Sequence, residues 1–164
     1  MFGGSEEEPE VIRTYPGSTK RIRWGNDAPD VDKFKVRPAS DPIFNKANWG
    51  KPTAIEVVPD HVFMFYRPNV FAKILGKSGP TLKFWEQKGF VPKPPFRFRF
   101  ENTVRNYYNE ETILAFLKLL NERGQLHDDR IDWAHFPELP DLIRKEWERI
   151  RDEWLAEVKK LTTH

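Results

Sequence analysis

The lysines and arginines of residues 61–110 are the side chains of this sequence best suited to chemistry, and that chemistry is the binding of a polyanion. Nine basic residues stand there against three acidic ones, a net +6 within a 164-residue chain whose formal net charge is only +2. Residues 1–60 hold nine basic against ten acidic side chains, and residues 111–164 hold nine against twelve. Positive charge gathered in one segment is the footprint expected of a module that meets phosphates. A smaller basic run, Arg13, Lys20, Arg21, Arg23, Lys33, Lys35 and Arg37, is offset by Asp27, Asp30 and Asp32.

Other chemistries fit poorly. Gly76-Lys77-Ser78 ends like a phosphate-binding loop, but that loop needs a glycine at position 71, where Phe71 stands, and a strand before it, where the pattern is helical. His127, Asp128, Asp129, Asp132 and His135 contain ligand types without an established ligand spacing, and a solvated linker accounts for them equally. No Gly-x-Ser-x-Gly motif occurs, and the absence of cysteine removes thiol nucleophiles, zinc–thiolate sites and disulfides. The expectation is a non-enzyme without cofactor or metal.

The elements that must position the basic residues follow from the apolar pattern. Mean hydropathy is −0.70, yet 13 Phe, 6 Trp and 4 Tyr supply bulky core material. The opening MFGGSEEEPE is acidic, and the longest apolar runs, near 62–66 and 113–120, are too short to cross a bilayer. A cytoplasmic protein without a membrane partner is expected. Residues 1–60 hold seven of the fourteen prolines and read as an extended arm, its first ten residues without order. Such an arm either straps its own domain or reaches a DNA or protein partner.

Residues 61–124 read as a single small domain. Asn69 is expected to cap a short helix over 70–75, ended by Gly76. Ser78 caps a second helix over 79–88, with Pro80 in its first turn, Leu82 and Trp85 buried, and Phe84 beside them in the core. Two short helices joined by a glycine-containing turn describe a helix-turn-helix. Phe96-Arg97-Phe98-Arg99-Phe100 alternates with period two, which predicts a strand with rings on one face and guanidinium groups on the other. Thr103–Tyr108 returns as its partner, and a helix over 112–121 follows. Residues 125–138 are a polar linker. Leu142, Ile143, Trp147, Ile150, Trp154, Val158 and Leu161 then mark an amphipathic helix over 139–162. That helix either packs on its own domain or pairs two chains as a homodimer through residues 139–161. The fold class expected is mainly α: a winged helix-turn-helix with a β-hairpin wing, an extended Pro-rich N-terminal arm and a long C-terminal helix.

The run from Phe71 to Pro92, Phe-Ala-Lys-Ile-Leu-Gly-Lys-Ser-Gly-Pro-Thr-Leu-Lys-Phe-Trp-Glu-Gln-Lys-Gly-Phe-Val-Pro, resembles the MerR-like winged-helix pattern. That pattern has Ala-x-x-x-Gly-x-Ser-x-x-Thr-Leu-Arg, two aromatics, then Glu-x-Lys-Gly-Leu and a closing proline, here one residue nearer. The family's wing ends in Arg-x-Tyr, the place filled by Arg105-Asn106-Tyr107. The resemblance covers roughly residues 68–123. It implies that helix 79–88 enters the major groove of double-stranded DNA, with Lys77, Ser78, Gly79, Thr81 and Lys83 at its exposed N-terminal part. It further implies that Arg97, Arg99 and Arg105, with Tyr107, carry the wing's contacts. Ser78 and Thr81 are equally explained by helix capping, and the wing arginines by the solubility of an exposed strand.

The function implied is a MerR-like transcriptional regulator without the family's cysteine-based sensing. A phage-type packaging factor of the small-terminase kind, or an excision factor, shares the same features. A protein-interaction or virion structural component, docking through the winged domain, is the reading from a different class.

Overall fold

Proline punctuates the strands and helices of this chain instead of breaking them. In the computed structural model, residues 14–15, 17–19, 36–127 and 130–162 are described. The chain divides into two units, Met1–Phe34 and Lys35–His164. In the first, β1 (Thr14–Tyr15) and β2 (Gly17–Thr19) pair antiparallel. The basic residues of that unit, and the lack of order expected of its first ten residues, lie outside the described residues.

The second unit begins with a strap. Two 3-10 turns, Pro42–Phe44 and Lys46–Asn48, are each opened by a side-chain cap: Asp41 accepts from the Ile43 amide and Asn45 from the Ala47 amide. Trp49 is the strap's buried anchor. Its indole donates to the Ile43 carbonyl at 2.7 Å and meets Tyr66 edge-on. At the other end the Arg37 amide donates to Asn121 Oδ1 at 2.8 Å, and Asn121 Nδ2 donates back to the Arg37 carbonyl at 3.0 Å. Arg37 Nε reaches the Leu126 carbonyl. Of the two roles expected for the arm, residues 36–50 take the strap. Asn121→Ala leaves both backbone groups of Arg37 without these partners, at a cost of about 2 kcal/mol. Limited proteolysis then cuts within residues 36–50 faster than in the parent; equal rates would show that Trp49 alone holds the segment.

From Thr53 the expected arm gives way to a hairpin that the proline count concealed. β3 (Thr53–Val58) pairs antiparallel with β4 (His61–Phe65), with Ile55 opposite Phe63 and Thr53 opposite Phe65. Pro52 and Pro59 stand just outside the strand, where no ladder amide is required. Asp60 makes the turn with φ of 69°, its amide bonded to Glu56. The described residues therefore form a mixed fold of four α-helices and antiparallel hairpins, with more strand than the mainly α class expected.

α1 (Pro68–Ile74) starts two residues earlier than the sequence suggests. Pro68 occupies its first turn, where a missing amide costs nothing, and Arg67 precedes it without a side-chain cap. Asn69 thus lies inside the helix. Gly76, with φ of 69°, turns the chain, and Ser78 caps α2 (Gly79–Lys88) as expected, accepting from the Thr81 amide at 3.3 Å. β5 (Phe96–Phe100) and β6 (Thr103–Tyr107) form the second hairpin, joined to the first by paired bonds between Tyr66 and Tyr108. Asn109 and Thr112 close a reciprocal capping box at the start of α3 (Glu110–Asn121).

α4 (Leu139–Thr162) spans 24 residues, about 36 Å. It packs on its own domain. Leu139, Ile143, Trp147 and Ile150 are buried, and Trp147 Nε1 donates to the Thr112 carbonyl at 2.9 Å. Trp154 sits among Phe63, Phe65, Phe96 and Phe98, closing a second small cluster between the two hairpins. The stripe expected to pair two chains is therefore occupied intramolecularly through Trp154, leaving Val158 and Leu161 half-buried beyond it. The linker is pinned too. Trp133, in a 3-10 turn, stacks on Phe90 and meets Trp85 edge-on.

Candidate nucleic-acid interface

Ten residues of helix at 100° per residue put 80, 83, 84 and 87 on one stripe and 82 and 85 opposite. The fold uses that geometry directly. Leu82 and Trp85 are 2% and 7% exposed against the core, while Pro80, Lys83, Phe84 and Gln87 face outward. Together with Gly79, and with Pro68 and Asn69 from the start of α1, these four line an open, shallow groove of about 600 Å³. Phe84 is 51% exposed. This corrects its expected place in the core, and the reason is rotational: only the second of the two adjacent aromatics, Trp85, falls on the inner face. Lys88 lies over the Phe84 ring at 5.5 Å.

The N-terminal candidates divide. Gly79 lies on the groove, and a β-carbon placed there would meet nothing within 4 Å, so internal packing does not require glycine. Ser78 and Thr81 are engaged with each other, their hydroxyls 3.0 Å apart, and Ser78 also caps the helix. Capping accounts for both. Lys77 is half-buried and lines a different cleft, of about 280 Å³, with Arg37, Gln125 and His127. The expected set of five is therefore brought to one surface only in Gly79 and Lys83.

The wing divides as well, and its register states how. Directly opposed residues of an antiparallel pair share a face. Arg97 opposes Asn106 and Arg99 opposes Val104, so both arginines stand on the outer face. Arg105 opposes Phe98 and Tyr107 opposes Phe96, which puts both on the aromatic face. Arg105 covers the ring of Phe100 at 5.7 Å and remains exposed. Tyr107 is 1% exposed, packed beside Phe65 and Phe98. Its expected contact with DNA is corrected to a core role, because a side chain withdrawn from water by its own domain cannot reach a groove. Asn69, Phe84 and Gln87 are groove residues that the sequence reading missed. The helical spacing of 80, 83, 84 and 87 was the available signal.

The basic side chains of α4 and those of α2 and β5 are partnered differently. Along α4, Arg144 pairs with Asp141 and Glu148, Lys145 with Asp141, and Arg149 with Glu146 and Glu153. Those contacts lower the Asp141 and Glu146 carboxyls below their ordinary range. Among the described residues, Lys83, Arg97 and Arg99 enter no ion pair of that kind. Burial raises the half-buried Glu86 carboxyl, against the opposing pull of Lys83 and Lys93.

Asp128 and Asp129 lie outside the described residues, and Asp132 caps the turn by accepting from the His135 amide. Among the described residues no group of three or more His, Asp or Glu is placed to hold a metal ion, and no helix is long and apolar enough to cross a membrane. No protein-family model matches the chain, and comparison with curated proteins and with solved structures finds no match either.

Proposed function

We propose that residues 61–124 form a winged helix-turn-helix that binds double-stranded DNA, with α2 in the major groove and Arg97 and Arg99 on phosphates. The observation that carries the proposal is the contrast in charge use. Arg144, Lys145 and Arg149 of α4 are paired within their own helix, whereas Lys83, Arg97 and Arg99 stand exposed and without ion pairs among the described residues. A helix with a polar and cationic outer stripe, followed in the chain by a hairpin that carries two arginines on one face, has the parts that groove docking requires. The resemblance of 71–92 to the MerR-like pattern assigns the same roles to the same elements, and a regulator of transcription is the use it implies. Packaging and excision factors would bind by the same surface.

An anisotropy titration of the full chain against a labelled duplex of mixed sequence tests this. Saturable binding at micromolar concentrations or tighter is the expected result. Lys83→Ala narrows the difference in affinity between preferred and unrelated duplexes, because a base-edge contact contributes about 1–3 kcal/mol of discrimination. Absence of binding at low salt would remove the proposal. One feature favours the protein-docking alternative: Val62 and Met64, each 56% exposed, share the outer face of the β3–β4 hairpin. A partner seated there would bind with little dependence on salt.

A further inference from the structure

The groove beside α2 is not a uniformly cationic surface. Its two most prominent outward groups after Lys83 are an aromatic ring and a carboxamide, Phe84 and Gln87, three residues apart on one helical stripe. A half-exposed phenyl ring on a ten-residue helix forgoes the burial that its neighbours Leu82 and Trp85 obtain. Nothing in the packing of α2 requires an aromatic at 84. Gly79 and Pro80, at the head of the same stripe, carry no side chain long enough to hold a partner away from the ring. The groove therefore accepts something that approaches α2 closely, is apolar opposite Phe84, and offers paired donor and acceptor groups opposite Gln87.

Within the major groove one base pair has that composition. Thymine is the base that projects a methyl group there, which an aromatic side chain can cover, and adenine presents the adjacent acceptor and donor that a glutamine carboxamide satisfies in bidentate fashion. Guanine offers acceptors only and is suited to lysine or arginine. Lys83 lies on the same stripe, and Lys88 stands over the Phe84 ring, so positive charge flanks the apolar contact on the helix itself. That charge is complementary to the phosphates bordering a groove.

We infer that α2 selects A·T base pairs, with Phe84 covering a thymine methyl and Gln87 pairing with adenine. This rests on the DNA-binding reading above and adds to it the class of base that is read. The contact depends on one methyl group, so it can be removed from the DNA without touching the protein. Deoxyuridine keeps every hydrogen-bonding group of thymidine and lacks only that methyl.

The test uses the full chain and a duplex selected from a random-sequence pool. Thymidines are replaced singly by deoxyuridine, and affinity is measured at fixed salt. Burial of one methyl predicts about four-fold weaker binding for at least one replacement. Phe84→Ala binds the thymidine and deoxyuridine duplexes equally while keeping the parent's salt dependence, and Gln87→Ala loses its preference for adenine at a position in the same site. Phe84 is exposed, so the far-ultraviolet circular dichroism and melting temperature of Phe84→Ala stay at the parent's values. Tight, salt-dependent binding that ignores every deoxyuridine replacement would overturn this inference and leave the DNA-binding reading standing. Absence of duplex binding would overturn both.

Discussion

Trp147→Ala lowers the unfolding free energy by about 4 kcal/mol, the range for removing a fully enclosed aromatic side chain. Trp147 is 1% exposed and meets Phe71, Tyr108 and Phe116 at ring-centroid distances of 6.2, 5.4 and 6.1 Å. These neighbours come from α1, the residue just after β6, and α3, so the cavity opens where three segments converge. The substitution also removes the indole's hydrogen bond to the Thr112 carbonyl. Domains of this size have total stabilities of about 5–15 kcal/mol, so such a loss brings the protein close to unfolding at physiological temperature. The denaturant midpoint falls sharply. Trp154→Ala, at a half-buried site on the smaller cluster, produces a lesser drop. An unchanged midpoint for Trp147→Ala would mean that α4 is not part of the core, and would restore its use as a seam between two chains.

The second large effect concerns binding. Arg97→Ala with Arg99→Ala weakens affinity for every duplex by about 30-fold, taking about 1 kcal/mol for each solvent-exposed ionic contact. Preference among sequences is retained, because phosphate contacts position a protein without reading bases. Both side chains are exposed on the outer face of β5, opposite Asn106 and Val104, so their removal leaves the aromatic face and the melting temperature intact. Arg105→Ala serves as the contrast. It lies on the other face, over Phe100, and its loss changes duplex affinity less than either outer arginine. Equal losses at 97, 99 and 105 would contradict the division of the wing into two faces.

Local signals made much of this architecture legible in the sequence. Gly76, Ser78, Pro80 and Gly89 bracket α2 through turn, cap, first-turn and C-terminal preferences, and all four take those positions. The period-two run at 96–100 is a strand, and the helix expected over 112–121 is present, starting two residues earlier at Glu110. What eluded the sequence depends on pairing between distant segments. β3 carries Ala54 and Glu56 on its open face and is flanked by prolines, so it reads as a strand only once Phe63 and Phe65 stand opposite. The wing failed in a similar way. Alternation within β5 orders its own side chains, but whether Arg105 joins Arg97 depends on the register of β6, which a turn at Glu101-Asn102 sets. Phe84 was misplaced for want of a rotational reference, since either of two adjacent aromatics can face a core until the remaining contacts choose.

The account turns on the exposed arginines of the wing meeting DNA phosphates, and salt dependence tests that most directly. The observed association constant of the full chain for a duplex is measured across sodium chloride concentrations and plotted log against log. Arg97 and Arg99 as two phosphate contacts predict a straight line of slope about −1.8 for the parent, most of which is lost when both arginines are replaced. A slope near zero, or one that the replacements leave unchanged, would contradict the account.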